Sequence, residues 1–242
     1  MTNHPEVDQT LERLVDQLRA AAGENLLGSA LYGGLAKGRY TPGTSDVNVL
    51  AVVADATLPA LLQLAPVLTA ALRDSQVVSF VATPADLREA AVLFPVKVLD
   101  IQLWHRVLWG DVHLADVEVQ PEALRLRSLQ ELKNMELRLR LRVVERDGES
   151  DALWRGLLRS LPKLAVTLEV LVRSRGLEVP ADRPGLLRQA ARKLGVAAGF
   201  VEPVADLRRR DPRPADEEVR RLLSAYLDLL AELCRTLGGV GG

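Results

Sequence analysis

The sequence predicts two structural units, an α/β domain over residues 1–120 and a helical bundle over residues 121–242. Up to residue 120, segments with helical spacing alternate with short apolar, β-branched runs bounded by Gly and Pro, which is typical of an α/β pattern. Beyond Pro121 the periodic segments have helical spacing, and none convincingly resembles a strand. With 242 residues, 48% of them hydrophobic, the chain is long enough to bury a sizeable core.

The composition argues against several classes of protein. The net charge of −1, spread as mixed signs, is unlike the strong basic excess of a dedicated nucleic-acid binder. The single cysteine, Cys234, excludes an intramolecular disulfide, and its apolar helical surroundings indicate a core thiol. No apolar run reaches the ~18 residues that span a bilayer, and the N-terminal segment lacks the order of a signal peptide. We therefore expect a soluble, cytoplasmic protein that does not bind nucleic acid.

Helices and strands alternate in the first half of the chain. Apolar residues at helical spacing predict helices over residues 6–22, 58–74 and 84–91. Apolar and β-branched runs predict strands over residues 26–32, 47–53 and 76–82. The segment 94–102 fits either a strand or a helix. We favour a strand over residues 97–101, followed by a helix through Trp104 and Leu108 to Gly110.

The second half is predicted to be helical throughout. The predicted helices cover residues 122–146, 151–175 with an interruption or kink near Pro162, 184–194, roughly 197–209, and about 215–237. The run LRLRLR at residues 137–142 alternates with period two, so a strand competes there. Length and the helix propensities of Leu, Arg, Glu and Lys favour a helix. These segments predict an antiparallel helix bundle.

The stretch over residues 26–53 carries the clearest chemical signal. A strand ends in Gly33-Gly34, and Asp46-Val47-Asn48 opens the next strand. Residues two apart on a strand point to one face, so Asp46 and Asn48 are predicted to project together beside the glycine turn. Turn amides can hold phosphate oxygens, and carboxylates can hold Mg²⁺ that bridges to those phosphates. The spacing suits metal-assisted phosphoryl or nucleotidyl transfer, with an aspartate that only caps a turn as the alternative.

Residues 31–53 resemble the signature of the nucleotidyltransferase superfamily, the DNA polymerase β-like fold of kanamycin-, streptomycin- and lincosamide-type antibiotic nucleotidyltransferases. That signature is a hydrophobic residue, Gly, and Gly or Ser, followed after a gap by Asp, hydrophobic, Asp or Glu, hydrophobic. Tyr32-Gly33-Gly34 fits the first part, residues 35–45 supply the gap, and Asp46-Val47-Asn48-Val49 fits the second part except at Asn48. Residues 77–110 resemble the end of the catalytic domain more loosely.

The resemblance implies an α+β nucleotidyltransferase-fold domain, with a mixed sheet and flanking helices, followed by an all-α helical-bundle domain. It implies Mg²⁺ as cofactor, and a nucleoside triphosphate and a small hydroxylated acceptor as ligands. The site residues it implies are Asp46 and Asn48 as metal ligands, Asp46, Asn48 and Asp100 as catalytic residues, and Gly33, Gly34, Lys37, Ser45 and Lys163 as nucleotide-binding residues.

Two departures from the family pattern concern its acids. The second acid falls on Asn48, whose amide keeps one oxygen and loses the charge. That loss should cost several kcal/mol of charge stabilisation, on the order of a thousandfold in rate. The third acid belongs on the strand over residues 77–81, where Ser79 is the best-placed polar residue. Asp100, on the next predicted strand, could supply a carboxylate instead, or could simply cap that strand.

Asn48 and Ser79 favour a protein that keeps the fold and a nucleotide or ligand cleft but has weakened or lost catalysis, a pseudoenzyme. An active Mg²⁺-dependent enzyme that transfers a nucleoside monophosphate to a small hydroxylated acceptor is the first alternative. A non-catalytic protein-interaction component is the second. Lys37 has the alternative interpretation of a solvated loop cation, and Lys163 that of a snorkelling lysine. The apolar bundle face could also support a homodimer.

Overall fold

The structure is a computed structural model that describes residues 3–43, 45–146, 148–178, 180, 182–207 and 212–239. The chain divides into two compact units, Met1–Gln120 and Pro121–Gly242. Within the described ranges, every helix is too short or too polar to cross a membrane.

The first unit is built on a four-stranded sheet with the order β3-β2-β1-β4. The strands are β1 (Leu26–Tyr32), β2 (Val47–Val53), β3 (Val77–Ala82) and β4 (Arg106–Gly110). Strand β1 pairs antiparallel with β2 and with β4, whereas β2 pairs parallel with β3. The mixed sheet is therefore confirmed.

Helices cover both faces of this sheet. They are α1 (Pro5–Ala22), α2 (Leu58–Ser75), α3 (Pro84–Leu93) and α4 (Pro95–Leu103), with a short 3₁₀ helix at Gly23–Asn25. Val47 and Val49 of β2 share a core with Leu11 of α1 and Leu64 of α2. Leu50 of β2 instead shares a core with residues of α3 and α4. Since side chains alternate along a strand, the even-numbered residues of β2 face α3 and α4. We call this the α4 face of the sheet.

The favoured prediction for residues 94–110 was wrong, whereas the alternative of a helix within residues 94–102 agrees with the structure. The predicted strand over residues 97–101 lies in α4, and the predicted helix up to Gly110 contains β4. Pro95 suits the first turn of a helix, and Val98 and Ile101, three residues apart, are both buried. Asp100 therefore lies on a helix. The residues of β4 pair with β1, as in the register of Ala30 with Val107.

Glycine is required where β1 and the end of β4 meet. A Cβ added at Gly110 would lie 2.2 Å from the carbonyl oxygen of Leu27, and Gly110 has a φ of +63°. Gly110→Ala is expected to lower the free energy of unfolding by roughly 2–4 kcal/mol, from overpacking and the left-handed backbone together. Urea unfolding measures this. Gly38→Ala is the control, because Gly38 has a φ of +68° but nothing within 4 Å of an added Cβ. Equal losses in the two variants would contradict the close-approach argument.

The second unit is all helical in its described residues, as predicted. Its helices are α5 (Pro121–Glu145), α6 (Ser150–Arg173), α7 (Arg183–Lys193), α8 (Ala198–Ala205) and α9 (Asp216–Gly238). Residues 137–142 belong to α5, so the competing strand is excluded, and α6 continues through Pro162. Helix α8 ends before the predicted limit of 209, and residues 208–211 lie outside the described residues. Cys234 is partly buried on α9, and burial raises the pKa of its thiol.

Candidate functional site

The side chain of Asn48 lies directly against the glycine turn. Asn48 pairs with Tyr32 in the register of β1 and β2, and Gly33 follows Tyr32 with a φ of +78°. A Cβ added at Gly33 would lie 3.0 Å from Nδ2 of Asn48. Any larger residue at Gly33 would therefore press on Asn48 as well as strain the backbone.

The turn over residues 33–39 is closed by its own backbone. The amide of Lys37 donates to the carbonyl oxygen of Gly33 at 3.1 Å, and the amide of Arg39 donates to that of Gly34 at 2.8 Å. These bonds make residues 33–39 a compact, defined turn at the end of β1.

Asp46 lies one residue before β2 and is exposed. Its position two residues before Asn48 puts it on the same side of the extended chain. Ser45 is tied into the preceding loop, because its hydroxyl accepts a hydrogen bond from the amide of Thr41 at 3.1 Å. Asp46 thus offers a solvent-facing carboxylate, whereas the Ser45 hydroxyl already has a backbone partner.

Strand β3 does not bring Ser79 to Asn48. In the parallel register, Asn48 pairs with Val78 and Val49 pairs with Ser79. Paired residues of neighbouring strands point to the same face, so Ser79 shares the opposite face with Val49. The Ser79 hydroxyl is buried there without a hydrogen-bond partner among the described residues. The expectation that Ser79 occupies the third acid position was wrong.

The β3 residues on the α4 face are Val78 and Phe80. Val78 stands beside Asn48 and is 37% exposed, and Phe80 pairs with Leu50. Neither side chain has an oxygen. The residues that β3 places beside Asn48 and Leu50 are therefore apolar.

Asp100 is bound to Lys37. The ammonium of Lys37 and Oδ1 of Asp100 form an ion pair whose side chains are only 4% and 15% exposed. Lys37 is thus not a solvated loop cation, and Asp100 is not a strand-end residue. The pair fastens the glycine turn to α4. Burial, and next the charge of Asp100, raise the pKa of Tyr32, so the phenol stays neutral at ordinary pH.

Lys97 is a site residue that the sequence analysis missed. It lies one helical turn before Asp100 on α4, and its Nζ is 3.8 Å from the centroid of the Phe80 ring, a cation–π contact. The residue as a whole is exposed, while partial burial against the ring lowers the pKa of its ammonium. The one signal that could have found it is the helical spacing of Val98 and Ile101, which makes residues 97 and 100 neighbours on one helix side.

Lys163 lies in the second unit, on α6. Its ammonium forms an ion pair with Glu131 of α5, a carboxylate that is 12% exposed, while Lys163 itself is 49% exposed. Within this unit, Lys163 therefore joins two helices. Its role in nucleotide binding stays a prediction.

The donor set on the α4 face does not fit a magnesium ion. Mg²⁺ prefers oxygen ligands, with carboxylates supplying charge. Asp46 supplies one carboxylate and Asn48 a neutral amide, Asp100 is neutralised by Lys37, and Val78 supplies nothing. Across the part of the chain that the structure describes, no cluster of three or more His, Cys, Asp or Glu is placed to hold a metal ion.

No family model and no curated protein matches the sequence. Among solved structures, the fold is similar to that of the spectinomycin adenyltransferase AAD(9) from Enterococcus faecialis, whose crystal structure contains ATP and spectinomycin. The two chains are 12% identical, with a TM-score of 0.53. The similarity covers 92% of this chain and 98% of that chain.

Proposed function

We propose, from the premise that the chain has the nucleotidyltransferase fold, that it is a nucleotide-binding protein whose nucleotidyl transfer is weakened or lost. One observation carries this proposal. The two strands that should present the acids beside Asp46 present Asn48 and Val78 instead, side by side on one face of the sheet.

The energetics favour loss of catalysis over mere slowing. Metal ions stabilise the transferring phosphoryl group, and each missing carboxylate removes several kcal/mol of that stabilisation, roughly a thousandfold in rate. Asp100 is an unsuitable replacement. Releasing it would break the ion pair with the ammonium of Lys37, which is now 4% exposed, at a cost of about 3–5 kcal/mol.

Other features of the site support nucleotide binding. The glycine turn over residues 33–39 would hold phosphate oxygens through the amides at its start, since those of Lys37, Gly38 and Arg39 donate within the turn. Lys97 adds an exposed positive charge on the α4 face. The structural neighbour was solved with ATP and spectinomycin, which supports a nucleoside triphosphate as ligand and a small hydroxylated molecule as a second one.

An active enzyme is the alternative, and the exposed Asp46 favours it. In that case Mg²⁺ would be bound by Asp46 and Asn48. Nucleotide would be transferred in the presence of Mg²⁺, and Asp46→Ala would abolish turnover.

Calorimetric titration with ATP and GTP, with and without Mg²⁺, tests the proposal, together with an assay for nucleotide transfer to aminoglycosides. We expect micromolar binding of a nucleotide and no efficient transfer. Asn48→Ala should weaken binding roughly fivefold, the effect of one lost hydrogen bond. Ser79→Ala, the matched control on the opposite face, should leave binding unchanged. Folded protein that gives no heat with either nucleotide would sink the proposal, and rapid Mg²⁺-dependent transfer would establish the enzyme instead.

A further inference from the structure

We propose that the α4 face binds the phosphate chain of a nucleoside triphosphate without a divalent metal, with the ammonium of Lys97 supplying the positive charge. The inference rests on the proposed function, because it assumes that this face holds the nucleotide. It goes beyond that function by naming what neutralises the phosphates.

The charges on this face favour a cation of the protein itself, not a metal ion, as the group that neutralises the phosphates. A magnesium site gathers carboxylates, so that their negative charge holds the ion. Here Asp46 is one carboxylate, Lys97 is one cation, and Lys37 and Asp100 neutralise each other. These four side chains sum to about zero, which leaves little negative charge to attract a metal. A phosphate chain would therefore be neutralised by the protein itself.

The ammonium of Lys97 is placed on the correct face. It lies 3.8 Å from the centroid of the Phe80 ring, and Phe80 pairs with Leu50, two residues along β2 from Asn48. Two residues of a strand span about 7 Å, a distance comparable to the length of a phosphate chain. Asn48, in turn, lies against the glycine turn. Lys97 and the turn thus lie on either side of Asn48.

The position of Lys97 relative to the turn is fixed by α4. Lys97 and Asp100 are one helical turn apart on this helix, and Asp100 is bound to Lys37 of the glycine turn. The buried residues Val98 and Ile101 hold the same helix on the sheet. A phosphate chain that spans the turn and Lys97 would therefore meet two groups already held in place, which reduces the entropy lost on binding.

Lys97 is also accessible and lacks a carboxylate partner in the described part of the chain. Its pKa is lowered by burial alone, and no neighbouring acid raises it. The ring of Phe80 attracts the ammonium weakly, by a cation–π contact, and leaves its N–H donors available. A phosphate oxygen would supply the charged acceptor that these donors do not have.

The test is calorimetric titration of the full-length protein with ATP in EDTA and in Mg²⁺. We expect ATP to bind in EDTA at least as tightly as in Mg²⁺. Lys97→Gln should weaken binding in EDTA by about tenfold to a hundredfold, the usual effect of one hydrogen bond to a charged group. Lys193→Gln, an exposed lysine on α7, is the matched control and should change nothing. Thermal unfolding of both variants checks that they are folded.

The possible results separate this inference from the proposed function on which it rests. Binding that appears only with Mg²⁺ would overturn this inference and leave the proposed function standing, as would equal affinities of the Lys97 and Lys193 variants. No binding of ATP in either buffer would overturn this inference, and no binding of GTP as well would overturn the proposed function too. Inorganic tripolyphosphate should displace ATP with a lower affinity, since it has the phosphates without the nucleoside. Failure to displace ATP would contradict recognition of the phosphate chain, and an affinity equal to that of ATP would contradict a nucleoside triphosphate as the ligand.

Discussion

Replacing Lys37 with methionine is expected to lower the free energy of unfolding by about 3–5 kcal/mol, because it removes the cation paired with a largely buried carboxylate, Asp100. In the native protein the side chains of Lys37 and Asp100 are 4% and 15% exposed, so solvent screens their ion pair little. Methionine keeps the length and apolar stem of lysine, so packing changes least. Urea unfolding measures the loss, with a thermal scan as a second readout.

Two further variants separate the charge effect from packing. Lys37→Met combined with Asp100→Leu should recover most of the lost stability, because both charges of the pair are then removed together. Arg73→Met is the matched control, since Arg73 and Asp74 form an ion pair whose side chains are 72% and 58% exposed. Such exposed pairs contribute little to stability, because solvent screens the two charges. Two results would contradict a stabilising role for the charges of the Lys37–Asp100 pair. One is a double variant whose loss of stability equals the sum of the two single losses. The other is a loss in Lys37→Met no larger than that in Arg73→Met.

Local patterns predicted most elements because their signals lie within one segment. The β-branched run of β2 and the glycines after β1 fix two strands by themselves, and the length of α5 outweighed its period-two run at residues 137–142. The favoured prediction for residues 94–110 was wrong for the same physical reason that the segment was ambiguous. Its apolar runs are short, and whether Val107 extends a helix or pairs with Ala30 is decided by a strand far away in sequence.

The site was predictable only where it is local. The position of Asn48 against Gly33 follows from the signature spacing. The face of the sheet that Ser79 occupies does not follow from that spacing. It depends on the register of β3 with β2, and a shift of one residue exchanges the faces. The Lys37–Asp100 pair joins residues 63 positions apart through a helix that was predicted as a strand. No pattern in one segment could reveal it.

If the face once held metal, restoring both acids should restore metal dependence. Asn48→Asp with Val78→Glu would place two new carboxylates beside Asp46, on adjacent strands and on one face. Val78 is 37% exposed, so a glutamate can be accommodated there without full burial. We expect Mg²⁺ to strengthen ATP binding by about tenfold to a hundredfold in the double variant, and nucleotide transfer to rise by at least a thousandfold, roughly the effect of one restored carboxylate.

The single variants show whether the two acids act together. Asn48→Asp or Val78→Glu alone should raise the Mg²⁺-dependent ATP affinity by much less than the square root of the factor seen in the double variant. The reason is that a single added carboxylate is still opposed by the charge of Lys97. Adding Lys97→Gln to the double variant should strengthen the response to Mg²⁺ further, because that change removes a cation that competes with the metal. Calorimetry with and without Mg²⁺ measures each step. A folded double variant indifferent to Mg²⁺ would mean that Asn48 and Val78 are not substituted metal ligands, and that this face was shaped for a different chemistry.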